Sequence, residues 1–211
     1  WKLYRNGTLA DEYADIKPIA TVPMTGNRIH TNKPIPTVAS LAGKKYRVAG
    51  KTLGVMISNL GGTGIQLSWT KIHQSLDKGV IQGTVSPWND FVPAKFPEVT
   101  KYHLDYPFGM IAGLVAMNKR SYESLPADAK KIVDQESGMK HVLWLSRAAD
   151  ANMEKNRAQV AAMPGHKVFT YGPAEYAKLK AKLAPVIEDW KNRTKGGAEM
   201  LIAVEKARGS R

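Results

Sequence analysis

"GKKYRVAG", residues 43–50, predicts a short strand with one arginine, Arg47, in its interior. Along such a strand Tyr46 and Val48 face one side, while Arg47 faces the other. Because an unpaired charge inside a protein is heavily penalised, the guanidinium needs a partner. That partner is either an acidic side chain of the same chain or an anion from outside, and this stretch alone leaves both alternatives open.

The glycine-rich run NLGGTG (59–64) lies just beyond this strand and has the glycine density of a nucleotide-binding loop. A dinucleotide-binding fingerprint follows a strand and opens a helix. This run instead closes a helix predicted over 52–62 and leads into an extended segment over 64–69, so we interpret it as a helix terminus. The sequence also lacks a G-x-x-x-x-G-K-[ST] phosphate loop and a G-x-S-x-G elbow.

Strands alternate with helices along the rest of the chain, which favours an α/β fold with largely parallel strand pairing. Further extended segments are predicted over 16–24, 30–35, 80–86, 100–108, 113–118 and 166–172. Further helices and helical turns are predicted over 1–13, 37–43, 70–79, 86–96 with Ser86 as N-cap, 173–194 with a bend or break at Pro185, and 198–208.

One long helix is predicted over 124–165, with Pro126 at its start and Pro164 and Gly165 as its stop. Such a helix would be about 55 Å long. That length exceeds one compact lobe of a chain of this size, so we expect the helix to bridge two lobes.

Length and composition allow one large domain or two small lobes. The chain has 211 residues, 43% of them hydrophobic, and no apolar run long enough to span a membrane. The absence of cysteine excludes disulfides, thiolate zinc sites and cysteine nucleophiles. The chain opens with WKLYRN, without an initiator Met or a signal-peptide pattern, so we expect it to be cut from a longer protein with any targeting segment upstream.

The formal net charge of +13 raises the possibility of nucleic-acid binding, but the charge is spread evenly and no RNP, RGG or paired zinc-ligand motif occurs. We interpret the surface as a basic one that attracts anionic ligands. The isolated carboxylates Asp77, Asp90 and Asp105 are interpreted as caps and surface charges. No metal, cofactor or catalysis is expected, because no metal-ligand spacing occurs among the histidines, which are His30, His73, His103, His141 and His166.

Four blocks carry a resemblance to a known family: NKPIPTVASLAGKKYRVAG (32–50), WTKIHQSLDKGVIQGTVSPW (69–88), KFPEVTKYH (95–103) and LVAMNKRSYESLPADAKKIVDQ (114–135). In order and spacing they resemble the solute-binding proteins of TRAP transporters, of the DctP type, from about residue 9 to the C terminus. The resemblance implies an α/β, two-lobed periplasmic-binding-protein-like (type II) fold. It implies a long helix that bridges the lobes, and it implies that the first part of lobe one is missing.

The resemblance also implies a ligand site between the lobes. Arg47 matches the family's strand arginine, which binds the ligand carboxylate. Arg28 lies near the place of a second arginine, with a spacing one residue shorter than in the family. Ser86 takes a position that is often an Asn, and a hydroxyl offers fewer hydrogen bonds than an amide, which argues against a C4-dicarboxylate or a sialic acid.

Three aromatic residues, Trp88, Trp69 and Phe108, fall at plausible edges of the cleft. Packing in the core is the alternative for each of them, equal in weight for Trp88 and favoured for Trp69 and Phe108. A guanidinium with aromatic rings nearby favours a pocket that is part polar and part apolar. We therefore expect a monocarboxylate with an apolar or aromatic body.

By the same resemblance, residues 1–25 and 112–150 belong to lobe one, 26–111 and 151–190 to lobe two, and 191–211 to a C-terminal helix. The implied protein is periplasmic, with a signal peptide upstream, and delivers a small organic acid to the membrane permease subunits of a TRAP transporter. The alternative is a sensor or scavenging protein of the same fold without a transporter. We expect the 211-residue chain, made alone, to bind ligand weakly or not at all.

Overall fold

The structure is a computed structural model that describes residues 1–209, in which a six-stranded mixed sheet and a two-stranded ribbon are packed with helices. The strands are β1 Ile16–Pro23, β2 Arg28–Thr31, β3 Lys45–Val48, β4 Thr63–Gln66, β5 Gly83–Ser86, β6 Tyr102–Leu104, β7 Ala112–Asn118 and β8 Lys167–Phe169. The helices are α1 Lys2–Arg5, α2 Lys51–Asn59, α3 Ile72–Asp77, α4 Phe96–Val99, α5 Lys119–Glu123, α6 Ala127–Gln135, α7 Met139–Ala161, α8 Pro173–Leu183, α9 Pro185–Arg193 and α10 Gly197–Gly209. Within the described residues, no helix combines the length and the hydropathy that a membrane crossing requires.

The six-stranded sheet has the order β4-β3-β5-β2-β6-β8. Strand β3 runs parallel to β4 and β5, and β6 runs parallel to β8, but β2 is antiparallel to both of its neighbours. The prediction of largely parallel pairing is therefore wrong at β2, and it is also wrong in the ribbon, where β1 and β7 are antiparallel. The reason is that β2 enters the sheet from the ribbon through a short link, not through the helical crossover that parallel neighbours need.

Side chains alternate along β3 as the sequence predicts. Tyr46 and Val48 are buried in an apolar cluster that also contains Ile57 of α2 and Leu60, the residue after that helix. Arg47 points to the opposite face, where its Nε atom meets the chain just after β4. The alternation thus separates the core of this lobe from the face that carries the arginine.

The single helix predicted over 124–165 is wrong, because the chain forms two helices, α6 and α7. The break lies at Gly138, whose φ of 98° is a left-handed conformation that a residue with a Cβ rarely adopts. The Gly138 amide donates a hydrogen bond of 2.8 Å to the carbonyl of Ile19 in β1. Helix α7 has 23 residues, which makes it about 34 Å long, and it contacts both β1 and β8. The bridge between the two sheets is therefore α7 alone, shorter than the predicted helix.

Three further predicted boundaries need correction. Ser86 is not a helix N-cap but the last residue of β5, where its backbone pairs with Arg28 of β2. Turns follow, and the helix predicted over 86–96 is confined to α4, which begins at Phe96. The helix predicted over 1–13 is present only as α1, and the segment predicted as extended over 30–35 leaves the sheet after Thr31. Sheet pairing decides these ends, and a local pattern does not contain that information.

Two predicted interruptions are confirmed. The run NLGGTG ends α2, with Gly61 at a φ of 84°, and the chain then enters β4. The predicted break at Pro185 separates α8 from α9. The C-terminal helix predicted over 198–208 is α10, and residues 210–211 lie outside the described range.

Candidate functional site

Arg47 is buried, with 9% of its surface exposed, yet it has no acidic partner. Its Nε atom donates a hydrogen bond of 3.2 Å to the carbonyl of Leu67, and its guanidinium carbon lies 5.7 Å from the centre of the Trp69 ring. Among residues 1–209, no carboxylate comes within ion-pair distance of the guanidinium, and no atom accepts a hydrogen bond from its two terminal nitrogens. Burial lowers the pKa of Arg47, but a guanidinium stays charged at neutral pH.

The guanidinium faces a cavity of about 150 Å³. Arg47 and Ala49 contribute the end of β3, and Trp69 contributes an indole ring that is 37% exposed. The other lining residues come from two links between the sheets and from the turn after β5: Met24, Thr25, Asn27, Ile111, Pro87 and Asp90. The cavity therefore joins one permanent cation, an aromatic face and several polar groups.

A second cavity, of about 530 Å³, adjoins the first, because Asn27, Ala49 and Ile111 line both. Its remaining walls are mainly apolar and come chiefly from α2, the end of α8, α9 and the 106–111 segment. They include Leu53, Met56, Phe108, Leu183, Val186 and Trp190. The two cavities together offer a cationic end and an apolar extension.

The two links between the sheets run side by side at this site. The Met24 amide donates to the Ile111 carbonyl at 3.0 Å, the Asn27 amide to the Gly109 carbonyl at 2.9 Å, and the Phe108 amide to the Asn27 carbonyl at 2.9 Å. Gly109 adopts a φ of 72°, which suits glycine. A pair of extended links held by few hydrogen bonds is a suitable hinge, and the smaller cavity lies directly against it.

Arg28 already has an acidic partner within the protein. Its Nε atom lies 2.6 Å from Oδ1 of Asp105, and its Nη1 atom donates to the Gly26 carbonyl at 2.6 Å. The Nε atom of Arg157, on α7, lies 2.5 Å from the other oxygen of Asp105, and the Trp88 indole donates to Oδ1 at 3.2 Å. Burial alone would raise the pKa of Asp105, but the hydrogen bonds from Arg157, Arg28 and Trp88 outweigh it and hold that pKa below its usual value.

The remaining predicted residues lie at different depths. Ser86 is fully buried, with its hydroxyl 2.7 Å from that of Thr84. Trp88 is also fully buried, and its ring packs edge-on against Phe91. Phe108 is buried in the wall of the larger cavity. The structure thus brings Arg47 and Trp69 together in the smaller cavity and leaves Arg28, Ser86 and Trp88 in the layer behind it. A ligand contact by any of the six stays a prediction.

Sequence reasoning missed Thr25, Asn27 and Asp90. The first two belong to TGN (25–27), a polar link between two extended segments, and Asp90 was interpreted as a surface charge. The signal that could have found Thr25 and Asn27 is their position at the crossing between the lobes, where the resemblance places the ligand.

Three histidines that are distant in sequence form one hydrogen-bonded row. Nδ1 of His30 lies 3.0 Å from Nδ1 of His103, and Nε2 of His103 lies 3.0 Å from Nδ1 of His166. Nε2 of His166 lies 3.0 Å from the Lys101 ammonium, and Nε2 of His30 lies 3.1 Å from the Ser86 carbonyl. Their spacing in the sequence gives no sign of this row, because it is formed by the neighbouring strands β2 and β6 and by the residue just before β8.

The row fixes the protonation of all three rings. The Ser86 carbonyl can only accept, so His30 carries its proton on Nε2 and accepts at Nδ1. His103 must then donate from Nδ1, and His166 must donate from its own Nδ1 while it accepts from Lys101. Burial lowers the pKa of His30 to about 3 and that of His103 to about 2, so both are neutral. The ring nitrogens of the row form hydrogen bonds with one another, with the Ser86 carbonyl and with Lys101. Residues 1–209 contain no group of three or more ligands that could hold a metal ion.

Comparison with known proteins places these features in a family context. The family model described as "Bacterial extracellular solute-binding protein, family 7" (DctP) matches residues 8–193. The C4-dicarboxylate-binding periplasmic protein DctP of Vibrio cholerae is 27% identical over 179 residues, which cover 83% of this chain and 52% of that protein. The chain thus spans about half the length of the curated relatives it matches.

Two solved structures are similar throughout most of the chain. A TRAP solute-binding protein from Rhodoferax ferrireducens in complex with copurified benzoate has a TM-score of 0.86 and 29% identity, over 96% of this chain and 65% of that one. A marine-metagenome TRAP solute-binding protein specific for aromatic acid ligands, in complex with 3-hydroxybenzoate, has a TM-score of 0.83 and 27% identity, over 93% and 64%. These likenesses confirm the predicted α/β fold of the two-lobed binding-protein type.

Proposed function

The chain belongs to the DctP family of bacterial extracellular solute-binding proteins, and from this premise we propose that it captures a small organic acid beside Arg47. Catalysis has no part in this proposal. The observation that carries it is the unpaired guanidinium, buried and facing a cavity among the described residues. Because a planar guanidinium matches a carboxylate with two parallel hydrogen bonds, an organic acid supplies the partner that the chain itself does not.

The preferred ligand in this proposal is a monocarboxylate with an aromatic or apolar body. A cavity of about 150 Å³ is smaller than typical ligand pockets of roughly 300–1,000 Å³, so it would take mainly the carboxylate end. The apolar cavity next to it offers space for the rest of the ligand. The two similar structures that contain benzoate and 3-hydroxybenzoate support this choice of ligand class.

The proposed mechanism is closure of two lobes around the ligand. We assign residues 1–25 and 112–150 to lobe one and residues 26–111 and 151–190 to lobe two, with the paired links at 24–27 and 108–111 as the hinge. Closure excludes water, which strengthens the pairing between the carboxylate and Arg47. The closed protein then delivers the acid, in the periplasm, to the permease subunits of a TRAP transporter. Finding a permease gene next to this one would favour delivery over a sensor or scavenging role.

A panel of three ligands tests the proposed function in the complete gene product, including any chain that precedes residue 1. We expect benzoate to raise the melting temperature and to bind in calorimetry with a Kd in the micromolar range or tighter. Benzamide, which has the same shape without the charge, is expected to bind at least about 100-fold more weakly. Succinate is expected to bind more weakly than benzoate. Equal binding of benzamide and benzoate, or no binding of any aromatic acid, would contradict the proposal.

A further inference from the structure

Asp90 lies in the wall of the same small cavity as Arg47. It is exposed, and among residues 1–209 its carboxylate has neither a cation within ion-pair distance nor a hydrogen-bond donor. It does not pair with Arg47 either. The cavity therefore contains one fixed positive charge and, separately, one negative charge without a partner.

The backbone just before Asp90 is held firmly by its neighbour, Asn89. The carbonyl of Asn89 accepts hydrogen bonds from the side chains of Asn152 and Asn156 in α7, at 2.8 Å and 2.6 Å. Its side-chain amide donates to the Ala149 carbonyl at 2.6 Å, and its side-chain oxygen accepts from the hydroxyl of Thr25 in the hinge. These bonds anchor the turn to both α7 and the 24–27 link, so the backbone that carries Asp90 is held beside the cavity.

We propose that Asp90 determines ligand specificity by excluding acids with a second carboxylate. This inference rests on the proposed function, in which Arg47 pairs with the first carboxylate. A ligand with one carboxylate brings only a neutral body into the rest of the smaller cavity and into the apolar cavity beyond it, so it places no second charge near Asp90. A second carboxylate that stays in the smaller cavity faces Asp90 without a cation to compensate the repulsion, since Arg47 is the one cationic side chain among the described residues that line that cavity and Lys51 lines the larger one.

The loss of affinity that a second carboxylate causes depends on how much water remains around Asp90. For like charges about 6 Å apart, the repulsion corresponds to a roughly threefold loss of affinity in water and to about 100-fold at an effective dielectric constant near 20. Asp90 is exposed in this structure, and lobe closure would remove water from around it. We therefore expect discrimination of about tenfold or more in the closed, ligand-bound protein.

Two ligands of equal shape separate the effect of a second negative charge from the effect of ligand size. Isophthalate and 3-nitrobenzoate both carry a planar three-atom group at the ring position meta to the first carboxylate, but only isophthalate carries a second negative charge. In calorimetry on the complete gene product, we expect isophthalate to bind at least about tenfold more weakly than 3-nitrobenzoate. Asp90→Asn should reduce that ratio about tenfold, while Asp90→Glu should retain most of it. Asp77→Asn serves as the matched control, because it removes a charge at the end of α3, outside the residues that line the cavity, and should leave the ratio unchanged.

A salt titration of the unmodified protein gives the same answer if Asp90→Asn fails to fold. Because salt screens repulsion at a partly exposed site, the preference for 3-nitrobenzoate should shrink as ionic strength rises. A ratio that is unchanged both in Asp90→Asn and in high salt, with 3-nitrobenzoate still bound in an Arg47-dependent way, would overturn this inference and leave the proposed function intact. Failure of both ligands and of benzoate to bind any variant would overturn both.

Discussion

Replacing Arg47 with alanine is expected to weaken benzoate binding to the complete gene product by about 100-fold or more. Truncating one partner of a desolvated charge pair costs roughly 2–5 kcal/mol, which is about 30-fold to several thousand-fold in affinity. Arg47→Lys is also expected to bind severely more weakly, because an ammonium is a point charge and cannot form the forked pair. Calorimetry measures both effects. Arg120→Lys, a change at an exposed arginine on α5, is the matched control and should bind benzoate as the parent protein does.

The stability of the ligand-free protein separates a binding role for Arg47 from a structural one. A buried cation without an acidic partner costs free energy, so Arg47→Met, which keeps much of the side-chain length, should melt at the same temperature as the parent or higher. A structural salt bridge predicts the opposite, a loss of several kcal/mol when one partner is removed. Unchanged affinity for benzoate in Arg47→Lys would contradict the binding role directly.

Acidification from pH 7.5 to pH 5 is expected to lower the free energy of unfolding by about 4 kcal/mol. The pKa of His30 is lowered to about 3 and that of His103 to about 2, mainly by burial, whereas in the unfolded chain both lie near 6.5. Below pH 6.5 the two histidines therefore bind protons in the unfolded state, whereas in the folded state they stay neutral until the pH is much lower. The stabilisation is complete above pH 6.5 and is lost as pH falls toward 3, at about 2 kcal/mol per histidine by pH 5.

Urea unfolding at a series of pH values measures this effect. His103→Gln should reduce the pH dependence between 7.5 and 5 by about half, whatever its effect on stability at pH 7.5. His73→Gln is the matched control for the loss of a histidine outside the row, since His73 lies on α3. A flat profile between pH 7.5 and 5 in the parent protein would show that the row is not buried in its neutral form. Few carboxylates titrate in this window, so the histidines dominate it.

Local patterns were sufficient where neighbouring residues decide the structure. The alternation of Tyr46, Arg47 and Val48 predicted which side chain leaves the core, and Gly61 and Pro185 predicted two interruptions that the structure contains. Each of these depends on backbone geometry within a few residues. At Gly138 the same kind of signal was present but was outweighed by an apolar pattern that continues on both sides, so two helices were read as one.

Local patterns failed where residues far apart in sequence meet. Arg28 and Asp105 form their ion pair because β2 and β6 are neighbours in the sheet, a pairing that no short stretch contains. The contact between His30 and His103 has the same origin. Ser86 ends β5 and Trp88 lies just after it, in a segment that resembles the family's ligand-contacting one. Yet both are buried, Ser86 beside its partner strand β2 and Trp88 in a turn whose carbonyl accepts a hydrogen bond from Asn156 of α7. Asp90 was visible only as a surface charge until the structure placed it in the lining of the same cavity as Arg47.

A crystal structure of the complete gene product with 4-bromobenzoate tests the central claim most directly, because the bromine locates the ligand by anomalous scattering. The account predicts both carboxylate oxygens within about 2.7–2.9 Å of the terminal nitrogens of Arg47, with the ring between Trp69 and the apolar cavity. A ligand bound away from Arg47, with the guanidinium paired to one of the protein's own carboxylates, would contradict it.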